Sequence, residues 1–285
     1  MPGTHEPFPL MENMTVKTVR AYLARKQSAI IPLGVIEQHG YHLPLKTDAL
    51  IATHVARRIG ERTGILVAPT IAASFSGGGL PGTINISPAV MSLVVRDTLV
   101  SLVAQGFRKL YLFLCHGGSE NARALDDALK LLLRLNPAFE HVLLALLPIW
   151  KFDPEGTGWT AAFNQGDWHA GWLETSMVMA IEPELVRMDQ LELDPEPVLD
   201  DQIAHPDNYQ RAQKIVDNGF VVPRMTQRPD IQVGVMGHPE RASRELGERI
   251  IQSVVDAASA TILDLEQRAD GIYKDIPFHP EPLIF

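Results

Sequence analysis

Four short apolar runs constrain this chain more than any other feature: QSAIIPLGV at 27–35, ILVAPTIA at 65–72, KLYLFLC at 109–115 and VLLALLPI at 142–149. Each is bounded by turn residues and is too short for a typical buried helix, so each reads as a strand buried on both faces. Helix-length stretches lie between them. Asp48 can cap a helix through 49–59, Ser87-Pro88 is a helix-start signal for 88–106, and a third helix is expected over 121–135. Strands separated by such helices form βαβ crossovers, which predicts a mostly parallel sheet with helices on both faces. Beyond it the sequence predicts a loop over 150–169, rich in Gly, Trp, Asp and Asn, then a helix over 170–181 limited by Pro183. The segment 194–228 carries no clear period, and 241–266 reads as an amphipathic packing helix. No linker-like tract interrupts the 285 residues, so one domain over 1–285 is expected.

In open parallel sheets the ligand crevice lies beyond the carboxyl ends of the strands. The segments EQH, SFSGGG and HGG all fall there. Glu37, His39 and Asp48 place two carboxylates and an imidazole within twelve residues of the first strand end, a donor set suited to Zn²⁺ or Mn²⁺ on one ion or two. The competing assignment is an exposed loop with Asp48 as a helix cap. His116 follows the third strand directly and precedes two glycines that allow close backbone approach; alone it is equally a histidine satisfied by backbone groups. His169 and Glu174 lie five residues apart across a loop-to-helix junction, where Glu174 can turn toward whatever His169 faces or merely decorate a helix start. Ser76 and Gly78, in SFSGGG, are expected to shape the pocket wall; no phosphate-loop pattern accompanies them. Cys115 is expected to be a buried thiol rather than a nucleophile activated by His116, because adjacent strand residues point to opposite faces.

Charge and cysteine usage exclude several classes. The net charge of −9 without a Lys/Arg cluster argues against nucleic acid as a partner and for a small molecule. One cysteine rules out an intrachain disulfide and a Cys-based zinc site, so a metal would be held by His, Asp and Glu. The apolar stretch 142–150 is far shorter than the ~20 residues needed to span a bilayer. The opening MPGTHEPFPL lacks a basic region followed by an apolar core, so no secretory signal is expected and the expected location is the cytoplasm.

Taken together, LGVIEQHGYHLPLKTD, SFSGGGLPGTINIS, GFRKLYLFLCHGG, HAGWLETS and GVMGHPERASRELG resemble the creatininase (creatinine amidohydrolase) family in order and spacing. The resemblance runs over 29–265, and the pattern EQHGxHLPLxTD is highly specific at its length. It implies a three-layer α/β/α sandwich, assembled as a homohexamer, with two divalent ions (Zn²⁺ and/or Mn²⁺) per subunit bridged by an aspartate and a water. Carried over by position, Glu37, His39, Asp48, His116 and Glu174 match metal ligands with Asp48 as the bridge. His169 matches the catalytic histidine, working beside Glu174.

Three departures fall near the pocket. Many relatives read N-G-H-G-G-N where this chain has Leu114, Cys115, His116, Gly117, Gly118 and Ser119. Creatininase carries a further metal-binding glutamate where Gly118 stands, and many members have glutamate where Trp172 stands. The resemblance therefore implies a metal-dependent hydrolase attacking the carbonyl of a small cyclic amide with a metal-bridging hydroxide. A hydrolase of a carbon–carbon bond in an inositol-derived cyclic diketone is the alternative. A non-catalytic small-molecule-binding protein on the same scaffold is an alternative of another class. Trp150, Trp159, Trp168 and Trp172 are expected to wall the pocket, with Asp167 or Asn164 placed to bond substrate hydroxyls.

Overall fold

The computed structural model describes residues 10–277; the N-terminal stretch read for a secretory signal lies outside them. The central sheet has four parallel strands: β1 (Ser28–Leu33), β2 (Leu66–Val67), β3 (Lys109–Leu114) and β4 (Leu143–Pro148), in the order β2-β1-β3-β4. Ser28 to Leu33 pair residue by residue with Lys109 to Leu114, and Lys109 to Leu114 in turn with Leu143 to Pro148. The expected second strand is largely irregular. Only Leu66 and Val67 form a continuous ladder, and an isolated bridge at Ile71 to Leu33 resumes it after Pro69. Proline has no N–H to give a ladder, which accounts for the break.

The helices are α1 (Val16–Leu23), α2 (Thr47–Thr63), α3 (Pro88–Gln105), α4 (Ser119–Leu135), α5 (Trp159–Asn164), α6 (Trp172–Ile181), α7 (Glu196–Ala204) and α8 (Arg244–Arg268). Alternation along the strands sorts them into two layers. Ile30, Tyr111 and Phe113 share a core with residues of α2, α6 and α8, whereas Ala29, Ile31, Leu110 and Leu112 share a second core with α3 and α4. The result is a three-layer α/β/α sandwich with a buried sheet.

Two differences from expectation bear on the site. The 150–169 segment is not wholly loop, since it folds the short helix α5. The unpatterned 194–228 segment contains α7 and an antiparallel hairpin, β5 (Gln210–Gln213) with β6 (Arg224–Gln227). Among the described residues one helix, α3, is long and apolar enough to cross a membrane by length and composition, a point the sequence reading did not test. In this fold Met91, Val95, Leu99 and Leu102 turn it onto the sheet, and Arg96 and Asp97 pair on its outer side.

The topology locates the crevice. From β1 the chain passes through α2 to β2 on one side, and α3 returns it to β3 on the other, so the order reverses between β1 and β3. Ligands in such sheets bind at that reversal, outside the carboxyl ends.

Candidate active site

Two of the site's carboxylates come from first turns of helices. Asp48 lies in the first turn of α2 and Glu174 in that of α6. Gly34 lets β1 run close under α2: a Cβ there would meet the Ala49 backbone at 2.6 Å. The helix N-terminus favours an ionised carboxylate at each place. Glu37 and His39 come from the loop after β1, and His116 from the residues after β3.

These five side chains converge. His39 Nε2 lies 3.7 Å from Asp48 Oδ1 and 3.8 Å from Glu174 Oε2. His116 Nδ1 lies 3.3 Å from Asp48 Oδ2 and 3.3 Å from Glu37 Oε2. Asp48 thus turns one oxygen to each histidine. The donor atoms of Glu37, Asp48 and His116 lie within 4.8 Å of one another, as do those of His39, Asp48 and Glu174.

The donor set fits divalent ions. Glu37 Oε2, His39 Nε2 and Asp48 Oδ2 are buried and have no hydrogen-bond partner, a costly arrangement for groups facing nothing. Both histidines have their far nitrogen committed to an acceptor: His39 Nδ1 donates to the Glu37 carbonyl at 3.0 Å, and His116 Nε2 to the Phe75 carbonyl at 3.0 Å. A carbonyl can only accept, so the far nitrogen of each ring keeps its proton and the inward nitrogen becomes a lone-pair donor once the ring is neutral, as metal-ligating histidines are held. Ser76 donates its hydroxyl to Glu37 Oε1 at 2.6 Å and aims the other oxygen inward.

Charge inside this cluster is strongly coupled. Burial disfavours a charged His39, but Asp48, Glu174 and Glu37 outweigh it and raise the imidazole to about 10. His116 is raised to about 9 against the same burial by Glu37 and Asp48. Burial works against the Asp48 carboxylate too, yet the two imidazoles hold it well below the usual range. Glu174 is pushed up to about 7 by burial, with His39 opposing and Asp48 adding. Without a cation, protons fill the role of positive charge between the carboxylates.

His169 packs against His39, ring centroids 4.4 Å apart and planes tilted by 41°. Its Nε2 lies 2.8 Å from the Gln38 carbonyl oxygen and 3.0 Å from the Gln38 side-chain nitrogen. That side chain is oriented by the Gly40 N–H on its oxygen and the Gly234 carbonyl on its nitrogen. His169 Nε2 therefore faces a donor and an acceptor and is accommodated with or without its proton. Burial, with His39 adding, lowers it to about 4. Ala170, next in sequence, is the one non-glycine described residue with positive φ, at 53°, and its N–H donates to Glu174 Oε2 at 2.6 Å.

The site opens into a cavity of about 460 Å³, lined by Glu37, Asp48, Ser76, Gly78, His116, Trp168, His169 and Glu174 among others. Three residues expected to touch substrate, Asp167, Trp172 and Asn164, do not line it. The Asp167 carboxylate accepts from the backbone N–H groups of Trp172, Leu173 and His238, so it caps α6 and ties down the 236–238 loop. Trp172 is buried in the core beside α8 because α6 turns that position away from the cavity. Trp150, Trp159 and Trp168 do line it, whereas Asn164 does not. Cys115 is a buried thiol whose ionisation is pushed well up by burial and then by Asp48 and Glu174. Sequence reasoning missed Gln38, inside the EQH motif itself, and the roof supplied by Tyr209 and Gln227 of the hairpin region.

The chain matches the family model "Creatininase: Creatinine amidohydrolase" over residues 12–262. It is 28% identical to creatinine amidohydrolase of Pseudomonas putida, across 82% of this chain and 87% of that one. It is equally 28% identical to a mycofactocin precursor peptide peptidase of Mycobacterium ulcerans, across 94% and 97%. A 3-dehydro-scyllo-inosose hydrolase of Thermotoga maritima is 25% identical across 90% and 83%. Among solved structures, a mutant creatininase of Zn–Zn type superposes with a TM-score of 0.66 at 26% identity, and a manganese creatininase with 0.66 at 25%. Each covers 90% of this chain and 97% of its own. The chain belongs to the creatininase family, a family of hydrolases, and it carries that family's fold.

Proposed function

We propose that this protein is a dinuclear metal-dependent hydrolase that cleaves a carbon–nitrogen bond in a small amide, working as one catalytic domain. The observation that carries it is the division of Asp48, one oxygen toward His39 and Glu174 and the other toward His116 and Glu37. Glu37, Asp48 and His116 would hold one ion, and His39, Asp48 and Glu174 the other. Two bound divalent ions, Zn²⁺ or Mn²⁺, supply a nucleophile from water near neutral pH and polarise a substrate carbonyl. His169 is neutral at rest, takes a proton from the attacking water, and returns it to the leaving nitrogen. Gln38 supports both states through its carbonyl and its amide. The products are a carboxylic acid and an amine, with one water consumed.

A polyhydroxylated cyclic diketone fits the cavity less well. Asp167 and Asn164, its candidate hydroxyl partners, lie outside the lining, so its hydroxyls would have to pair with other groups such as Ser119, Gln202, Tyr209 and Gln227, and any set against the tryptophan faces would go unpaired. The non-catalytic alternative predicts missing donors, and all five are in place. The proposal includes a homo-oligomer, a hexamer as in the family resemblance, located in the cytoplasm.

Elemental analysis after reconstitution should find two ions per subunit, and the loaded enzyme should hydrolyse members of a panel of lactams, cyclic ureides and formamides. Zero stoichiometry under saturating Zn²⁺ and Mn²⁺ overturns the proposal. Turnover confined to cyclic diketones replaces it with the carbon–carbon reaction.

A further inference from the structure

The cavity is divided by chemistry. Glu37, Asp48, His116, His169 and Glu174 give it a polar, ionisable part, and Trp150, Trp159, Phe163, Trp168, Ile231 and Met236 give it an apolar, largely aromatic lining. Phe163 and Trp168 stack with centroids 4.8 Å apart and planes at 16°, which fixes the orientation of both rings within that lining. The Trp168 indole N–H already donates to the Ile203 carbonyl at 3.0 Å, so this ring offers substrate a face rather than a hydrogen bond. The volume of about 460 Å³ lies in the range of roughly 300–1,000 Å³ that takes drug-sized ligands.

Charge is distributed just as unevenly. Among the described residues lining the cavity there is no lysine and no arginine, and the segments 1–9 and 278–285 contain neither residue. Asp207 stands at the mouth beside Tyr209, whose hydroxyl is pushed up to about 12 by burial and then by Glu120, Glu37 and Asp207. An anionic group on the part of the substrate far from the ions would thus lose its hydration, meet no counter-charge and face acidic side chains.

We propose that the substrate is an amide whose portion distal to the reacting carbonyl is a flat apolar group, aromatic in character and without phosphate or carboxylate, seated against Phe163, Trp168 and Trp150. The proposal rests on the amide-hydrolase reading and names the substrate class for that site. Phe163, Trp168 and Trp150 are its specificity-determining residues. Asp207 repels anions at the entrance.

Hydroxamic acids test this by binding alone, since their chelating head seats on metal ions and their tail samples the wall. Isothermal titration of the zinc-loaded protein with acetohydroxamate, benzohydroxamate, 2-naphthohydroxamate and 4-carboxybenzohydroxamate should rank the tails. The naphthyl probe is expected to bind at least tenfold more tightly than the acetyl one. The carboxylated ring should bind at least tenfold more weakly than benzohydroxamate. Trp168→Ala and, independently, Phe163→Ala should shrink the naphthyl-to-acetyl affinity ratio to threefold or less. Asp207→Lys should shrink the carboxylate penalty. Equal affinity across the tails, or preference for the carboxylated ring, overturns the proposal and leaves the hydrolase reading intact. Failure of all four probes on protein shown to hold metal overturns the hydrolase reading itself.

Discussion

Loading metal-free protein with ions must displace protons from its buried ligands, and the raised pKa values of His39, His116 and Glu174 set the number expected. His39, raised to about 10, and His116, raised to about 9, each carry close to one proton at pH 7, and Glu174, at about 7, carries half of one. Ligands bind metal only when deprotonated, so one, one and one half sum to about 2.5 protons released from these side chains per subunit at pH 7. At pH 8 the share of Glu174 falls to about a tenth, and the sum to about two. The sign follows: each displaced proton weakens apparent metal binding about tenfold per unit fall in pH, so two of them cost roughly a hundredfold between pH 8 and pH 7.

Calorimetric titration of Zn²⁺ into the apoprotein, repeated in buffers of different ionisation enthalpy, gives the proton count as a slope. A slope of two or more at pH 7 is expected, and His39→Gln should lower it by about one. A slope below one at pH 7 would refute the reasoning, because it would mean that both histidines are already neutral between the carboxylates of the empty centre.

The roles of the two classes of site residue separate under mutation. Asp48→Ala should lose at least one equivalent of metal together with activity, whereas His169→Ala should keep both equivalents and lose ~10²–10⁴-fold in kcat; a full equivalent lost with His169 would make it a ligand. At the crossing of α6 and α8, a Cβ at Gly247 would lie 1.9 Å from the Ser176 carbonyl oxygen, a backbone atom that cannot rotate away. Gly247→Ala should therefore destabilise by about 3 kcal/mol even after the better helix propensity of alanine, read as a Tm fall of roughly 5–10 °C. His54, on α2 away from the centre, is lowered to about 4 by burial and then by Arg57 and Arg58. A depressed histidine favours the neutral form in the fold, so its contribution is complete above about 6.5 and is lost as pH falls through 4. His54→Gln should flatten the decline of the urea midpoint between pH 6.5 and 4, and an unchanged profile would show that His54 titrates normally.

The parts of this fold readable from sequence are those where a period meets a boundary. Strands β1 and β3 stand out because both of their faces are buried, β4 because its apolar run is unbroken although it is half-buried, and α2 and α6 begin within two residues of the expected starts. The motif placed Glu37, His39 and Asp48 at a strand end, and the topology then brought His116 and Glu174 to them. The hairpin was illegible because QRAQ and RMTQ lie largely at the surface and show no apolar alternation. Asp167 shows a different limit. An acidic residue in a tryptophan-rich loop looks like a pocket group, but its carboxylate is taken up by the first N–H groups of α6 and by an N–H at His238, 71 positions away. Trp172 was misplaced for the same reason: a first-turn residue on α6 faces the core or the cavity according to how α6 packs on α8, which no local pattern states.

That packing explains how one centre can serve relatives named for creatinine, a precursor peptide and an inosose. Asp48 and Glu174 sit on α2 and α6, which pack on each other and both on α8. Their separation is thus set inside a core that any substrate change leaves alone. The histidines come from short connections at the ends of β1 and β3, held by carbonyls of Glu37 and Phe75. Much of the wall, by contrast, comes from α5, the 200–210 segment and the loop before α8, elements outside the sheet with local supports such as the Asp194 carboxylate under residues 232–234, while Trp150 follows β4 and Trp168 directly precedes His169. On the proposed amide-hydrolase reading, substrate identity in this chain would be set by its tryptophans and by the absence of basic residues lining the cavity rather than by the EQH motif.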